Sequence, residues 1–133
     1  MSVSRGWFAA GATMAGLGVM TWAFGAHGLQ TRVGPELLGV FETGVRYQIY
    51  HALALLAVGF AASRWSSGWI RAAGWLFVAG IVIFSGSLYL ITLTGERRLG
   101  MITPIGGVCF ILGWAGLALG ALRAGEAAQQ GNS

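Results

Sequence analysis

The chain contains no lysine and no aspartate, so its charge rests on eight arginines and four glutamates, 9% of 133 residues. An average soluble domain carries roughly a quarter charged residues. Without lysine there is no phosphate-binding loop of the type that ends in Gly-Lys-Ser/Thr, and no dinucleotide fingerprint follows a strand. The sequence pI of about 10.2 comes from arginines scattered in twos and threes, which leaves no basic stripe for nucleic acid. The single cysteine, Cys109, excludes an intrachain disulfide and, inside an apolar run, behaves as a small hydrophobe. The only two histidines are His27 and His51. With one distant cysteine and the glutamates they fall short of a metal site of three or four ligands. Axial ligation of a haem by the pair has no supporting motif, and no cofactor is expected.

What the chain has in quantity is apolar sequence: 56% hydrophobic residues and a mean hydropathy of +0.70. No charged residue lies between Arg5 and Arg32, Arg46 and Arg64, Arg71 and Glu96, or Arg98 and Arg123. A bilayer core of about 30 Å needs roughly 20 apolar helical residues. Unpaired backbone groups in hydrocarbon cost several kcal/mol, so each window must be a helix or part of a closed barrel. Strand-like alternation is absent. The reading is an all-α membrane protein, a four-helix transmembrane bundle with spans at about 7–26, 45–63, 72–93 and 101–122. These form one domain over 1–124, followed by a polar, disordered tail at 125–133.

The first window ends in Ala23-Phe24-Gly25-Ala26 and resembles a secretory signal, but it exceeds the usual apolar region of about 7–15 residues and reads as an uncleaved anchor. Trp7 and Trp22 suit the interfacial belts. The second window is short, and Pro35-Glu36 before it suits a first helical turn. A short interfacial helix is therefore expected near Pro35 to Thr43. In the fourth, Gly106, Gly107, Gly113, Gly116 and Gly120 are candidate helix-packing positions, because small residues let backbones approach in lipid.

Arginine counts in the short loops give no clear orientation. Arg5, Arg64, Arg71 and Arg123 fall on one side, Arg32, Arg46, Arg97 and Arg98 on the other. Discounting Arg46 as part of a helix tips the balance toward cytoplasmic termini.

Ionisable groups within a membrane are candidate functional residues. Glu42 and Arg46 stand four apart, the spacing and order of a helical ion pair. Tyr47 and His51 repeat that spacing, Gln48 flanks them, and His27 closes the first span on the same side. Ser85, Ser87 and Tyr89 interrupt the third span and Thr103 opens the fourth. The expectation is that His27, Glu42, Arg46, Tyr47, Gln48, His51, Ser85, Ser87, Tyr89 and Thr103 converge at one end of the bundle. The economical reading is structural, with hydrogen bonds locking helices together. Nucleophilic catalysis by Ser85 or Ser87 has no His–carboxylate pair on the same helix, so an enzyme is not expected.

Several strings fall in the same order as in a known group. Ala23 to Leu29, Phe41 to Gln48 leading into Tyr50 to Leu55, Phe84 to Tyr89 and Ile102 to Gly107 resemble the YgdD/YwdK-like family, small bacterial membrane proteins with a eukaryotic small transmembrane relative. The resemblance covers about Gly6 to Leu122. It implies a four-span protein of the cell inner membrane and carries no established activity. Two functional classes follow. One is a non-enzymatic accessory or structural subunit that packs against lipid, a larger membrane complex or a second copy. The alternative is a pocket at the His27/His51 end for a lipid headgroup or quinone. Neither involves nucleic acid.

Overall fold

The computed structural model describes residues 2–133 and is helical almost throughout. Helix α1 spans Val3–Phe24, capped at its start by the Ser2 hydroxyl, which accepts from the Arg5 N–H. It continues into a π-helical turn at Gly25–Leu29. Helix α2 spans Pro35–Arg64 with proline in its first turn and Glu36 beside it, where a missing N–H costs nothing and a carboxylate meets the positive helix end. The third span is one continuous helical rod: α3, Gly68–Gly80, a π-helical turn at Ile81–Ser85, and α4, Gly86–Thr94. Gly95 stops it in the left-handed region at φ 73°, a conformation that glycine adopts without strain. A 3-10 turn at Arg97–Met101 leads into α5, Thr103–Gln130. Four of these helical stretches are long and apolar enough to cross a membrane.

Two sequence expectations change. The interfacial helix near Pro35 to Thr43 is not a separate element but the first turns of a 30-residue α2. The tail expected to be disordered from residue 125 is helical through Gln130, because Glu126, Ala127, Ala128, Gln129 and Gln130 are all good helix formers.

Helix α2 is central. It packs along α1 on one side and along the third span on the other, while α5 packs mainly on the third span. Each outer helix meets its inner neighbour through glycines seven apart. On the first span these are Gly11 and Gly18 of α1 and Gly25 of the π-helical turn that continues it. A Cβ on Gly11 would stand 2.7 Å from the Ala52 carbonyl oxygen, one on Gly18 would stand 2.7 Å from Ile49 Cγ1, and one on Gly25 would strike the Phe41 ring. On α5 they are Gly106, Gly113 and Gly120, whose added Cβ atoms would meet Phe84, Phe77 and Ile70 at 2.5, 2.7 and 2.6 Å. A seven-residue repeat keeps one face of a helix on its neighbour over several turns. The larger apolar core, between these layers, holds Trp7, Leu55, Val58, Ile70, Phe77 and Phe110.

Candidate functional site

Several polar residues of the apolar spans lie along the seams between helices. Gln48 sits on the inward face of α2, 5% exposed. Its Nε2 donates to the Met14 carbonyl on α1 at 2.9 Å, and its Oε1 accepts from Tyr89 Oη on α4 at 2.6 Å. One side chain thereby ties three helices. Ser85, in the π-helical turn, donates to the Gly44 carbonyl on α2 at 2.6 Å. Ser87 donates to the Phe84 carbonyl at 2.8 Å and lies 2.6 Å from the Thr103 hydroxyl at the head of α5. Thr92, which carries no signal of its own in an apolar span, donates to the Leu88 carbonyl at 2.8 Å and reaches toward that of Leu37 at 3.4 Å.

His51 faces inward among Tyr47, Phe77, Phe110 and Trp114, with the Phe110 ring stacked on it at 3.6 Å between centroids. Its Nδ1 lies 2.8 Å from the Tyr47 carbonyl, and its Nε2 accepts from Trp114 Nε1 at 3.1 Å. One neutral tautomer satisfies both contacts, with the proton on Nδ1 donating to the carbonyl. Both ring nitrogens are thus occupied. Trp114, half-exposed on α5, was not singled out in the sequence, where a lone tryptophan in a span reads as one more apolar residue.

The expected convergence at one end is corrected on two points. His27 is exposed on the π-helical turn that closes α1, and its neighbour Gly25 packs at Phe41. His51 lies ten residues further along α2, about 15 Å at 1.5 Å per residue. The two histidines do not approach, which removes both the pocket drawn between them and shared ligation of a haem. Glu42 and Arg46 do not pair either: among the described residues the ion pairs are Arg97–Glu36 at 2.9 Å and Arg98–Glu96 at 4.0 Å. The rotation of α2 that buries Val45 and Gln48 leaves Arg46 exposed. Glu42 instead borders a small cavity of about 140 Å³ with Trp22, Gln30 and Phe41.

Tyr47 packs on Phe84 at 4.7 Å between ring centroids, with part of its ring exposed. Of the glycines named for packing, Gly106, Gly113, Gly116 and Gly120 face the third span, whereas Gly107 has nothing within 4 Å of an added Cβ. Its inclusion is therefore corrected. The carboxylates, histidines and cysteine do not gather: no group of three or more stands close enough to hold a metal ion among the described residues.

Four apolar helices joined at their seams by polar side chains define a small multi-pass membrane protein. The chain belongs to the family described as "Protein of unknown function (DUF423)", which matches residues 22–107. It is similar to the UPF0382 membrane protein YwdK of Bacillus subtilis, 48% identical over 114 residues covering 85% of this chain and 93% of that protein. The UPF0382 membrane protein SAB0533 of Staphylococcus aureus is 49% identical over 113 residues, 85% of this chain and 92% of its own. SSP2132 of Staphylococcus saprophyticus, a UPF0382 membrane protein as well, is 48% identical over a similar share. No solved structure matches the chain.

Proposed function

We propose that the protein is a non-enzymatic structural or accessory component of the cell inner membrane, with both termini cytoplasmic. The observation that carries this reading is how the polar side chains of the spans are employed. Gln48, His51, Ser85, Ser87, Tyr89 and Thr103 are taken up in hydrogen bonds, most of which cross from helix to helix. A catalytic or ligand-binding residue keeps a donor, acceptor or lone pair turned toward a space where substrate can stand. Here the same atoms are turned toward neighbouring helices, where in lipid they hold the bundle together.

The outer helices α1 and α5 present wide apolar faces, including Leu17, Val19 and Met20 on one and Val108, Ile111 and Leu122 on the other. These faces suit lipid or the helices of a larger assembly. The test is extraction of the full chain in mild detergent, followed by size exclusion with light scattering and mass spectrometry. Elution with an integral membrane partner at fixed stoichiometry is the expected result. A chain that runs alone overturns the accessory role, and one carrying a bound quinone or other chromophore overturns the non-enzymatic reading with it.

A further inference from the structure

At the end of the bundle where α1 and α3 begin, two cavities share a wall. The larger one, about 390 Å³, is an open furrow between α1 and α3 lined by Val3, Gly6, Trp7, Ala10, Met14, Trp75 and Val78, and it is almost wholly apolar. The second, about 170 Å³, opens at the α2–α3 loop. Val3 and Trp7 line it too, together with the polar groups of Ser66, Ser67 and Arg71. We propose that the two cavities form one binding site for an anionic glycerophospholipid, with an acyl chain lying in the furrow and the phosphate at Arg71 and Ser66.

Length is the first argument. Met14 lies eleven residues after Val3, about 16 Å along the helix, close to half of a hydrocarbon core of about 30 Å. The furrow therefore begins at the headgroup level and ends near the midplane, the depth of one leaflet. Charge supplies the second. Arg5, Arg64, Arg71 and Arg123 all lie at this end, and none forms an ion pair among the described residues. Both ion pairs, Arg97–Glu36 and Arg98–Glu96, lie at the opposite end. An unneutralised basic rim attracts an anionic headgroup, and the first turn of α3 adds its positive end beside Ser67.

The third argument is Trp7. Its ring is 7% exposed and lines both cavities. Its Nε1–H is nevertheless buried without a hydrogen-bond partner, in a fold where the other polar side chains of the seams are satisfied. Buried donors are rarely left so. A glycerol ester carbonyl sits at this depth, between phosphate and chain, and is the kind of acceptor that this donor lacks.

The experiment uses the delipidated full chain in mild detergent. Its melting temperature is followed against dioleoyl phosphatidylglycerol, dioleoyl phosphatidylcholine and glycerol 3-phosphate. Saturable stabilisation by phosphatidylglycerol is expected, weaker by phosphatidylcholine and absent with glycerol 3-phosphate. Gly6→Leu places a side chain in the furrow where an added Cβ meets nothing within 4 Å, so the fold is retained and the phosphatidylglycerol response is lost. Arg71→Gln, at an exposed position, weakens that response about fivefold and leaves phosphatidylcholine unaffected; it carries the test alone if Gly6→Leu does not fold. Equal responses to the two lipids, a wild-type response in either variant, or a response to glycerol 3-phosphate matching that of the lipid overturns the site.

Discussion

Trp114 donates its indole N–H from α5 to His51 Nε2 on α2 at 3.1 Å. Helices α2 and α5 otherwise touch little, so this hydrogen bond and the Phe110–His51 stack are the main fastening between the central helix and the last span. Trp114→Phe keeps most of the ring contact and removes the donor. A loss of about 1 kcal/mol is expected, read as a lower melting midpoint in detergent. In a double-mutant cycle with His51→Phe, the two losses should fall short of additivity, because either change alone breaks the same bond. Full additivity would show that the hydrogen bond contributes nothing.

Gln48 makes a different demand, since it serves two partners. Gln48→Leu leaves the Tyr89 hydroxyl unmatched and strips the Met14 carbonyl of the bond it accepts beyond that of its own helix, whereas Tyr89→Phe removes a single bond. Orphaning a buried polar group costs about 1–3 kcal/mol, more than deleting both members of a pair. Gln48→Leu should therefore be the more destabilising single change. Adding Tyr89→Phe to it should recover part of the loss in thermal melting, and a double variant worse than the sum of the two would contradict the bridge.

The glycines of α5 separate close contact from mere abundance. A Cβ on Gly106 would stand 2.5 Å from the Phe84 backbone nitrogen, which cannot move without shifting the third span, while Gly107 faces open space. Gly106→Ala should cost about 1–3 kcal/mol through overpacking. Gly107→Ala should be neutral or stabilising by up to about 1 kcal/mol, from helix propensity alone. Paired detergent melts of the two neighbouring variants check this, and similar effects from both would mean that the helices do not approach as described.

The spans were legible in the sequence because hydrocarbon tolerates so little charge: the windows between Arg5 and Arg32 or Arg71 and Glu96 could be nothing shorter than a crossing. Pro35-Glu36 likewise marked the true start of α2. The rotation of each helix about its axis was not legible. Glu42 and Arg46 have the right spacing for a pair, but spacing is silent on which way the helix turns, and burying Val45 and Gln48 sends Arg46 outward. The distance from His27 to His51 was hidden for a similar reason, since both lie near the same junction in sequence while α2 continues unbroken past it. The glycine repeat of the first span is present in the sequence but carries no weight there, because 23 glycines make any single spacing unexceptional until a neighbouring helix shows which ones it touches. The π-helical turns leave no signal in the sequence, and the tail mixes small polar residues that suit a loop with helix formers that carry α5 on to Gln130.

For Glu42 and Arg46 the geometry predicts independence. Neither contributes to an ion pair with the other, so Glu42→Ala and Arg46→Ala should give small effects that add within about 0.3–0.5 kcal/mol. A buried pair would behave otherwise, with the single change costing more than the double because it strands a charge. A double variant more stable than Glu42→Ala alone would restore the pair.

Orientation is open to a direct test because the two ends of the bundle differ in how their charge is balanced. One end sets Arg5, Arg64, Arg71 and Arg123 against Glu126; the other sets Arg32, Arg46, Arg97 and Arg98 against Glu36, Glu42 and Glu96. Lys and Arg in short loops bias the end they occupy toward the cytoplasm. Arg5, Arg64 and Arg71 lie within about a turn of a helix end, whereas Arg46 lies eleven residues into α2; with Arg46 set aside, the count favours the terminal end, the same end that the anionic cytoplasmic leaflet would hold. A fluorescent protein that matures only in the cytoplasm should light up when fused after Ser133, and a phosphatase active only outside should be silent there and active when inserted in the Gly95–Gly100 loop. Because the arginine bias is narrow, replacing Arg64 and Arg71 together with Gln should yield a mixed population reporting from both sides. Phosphatase activity at the C-terminus of the unmodified chain would invert the assignment.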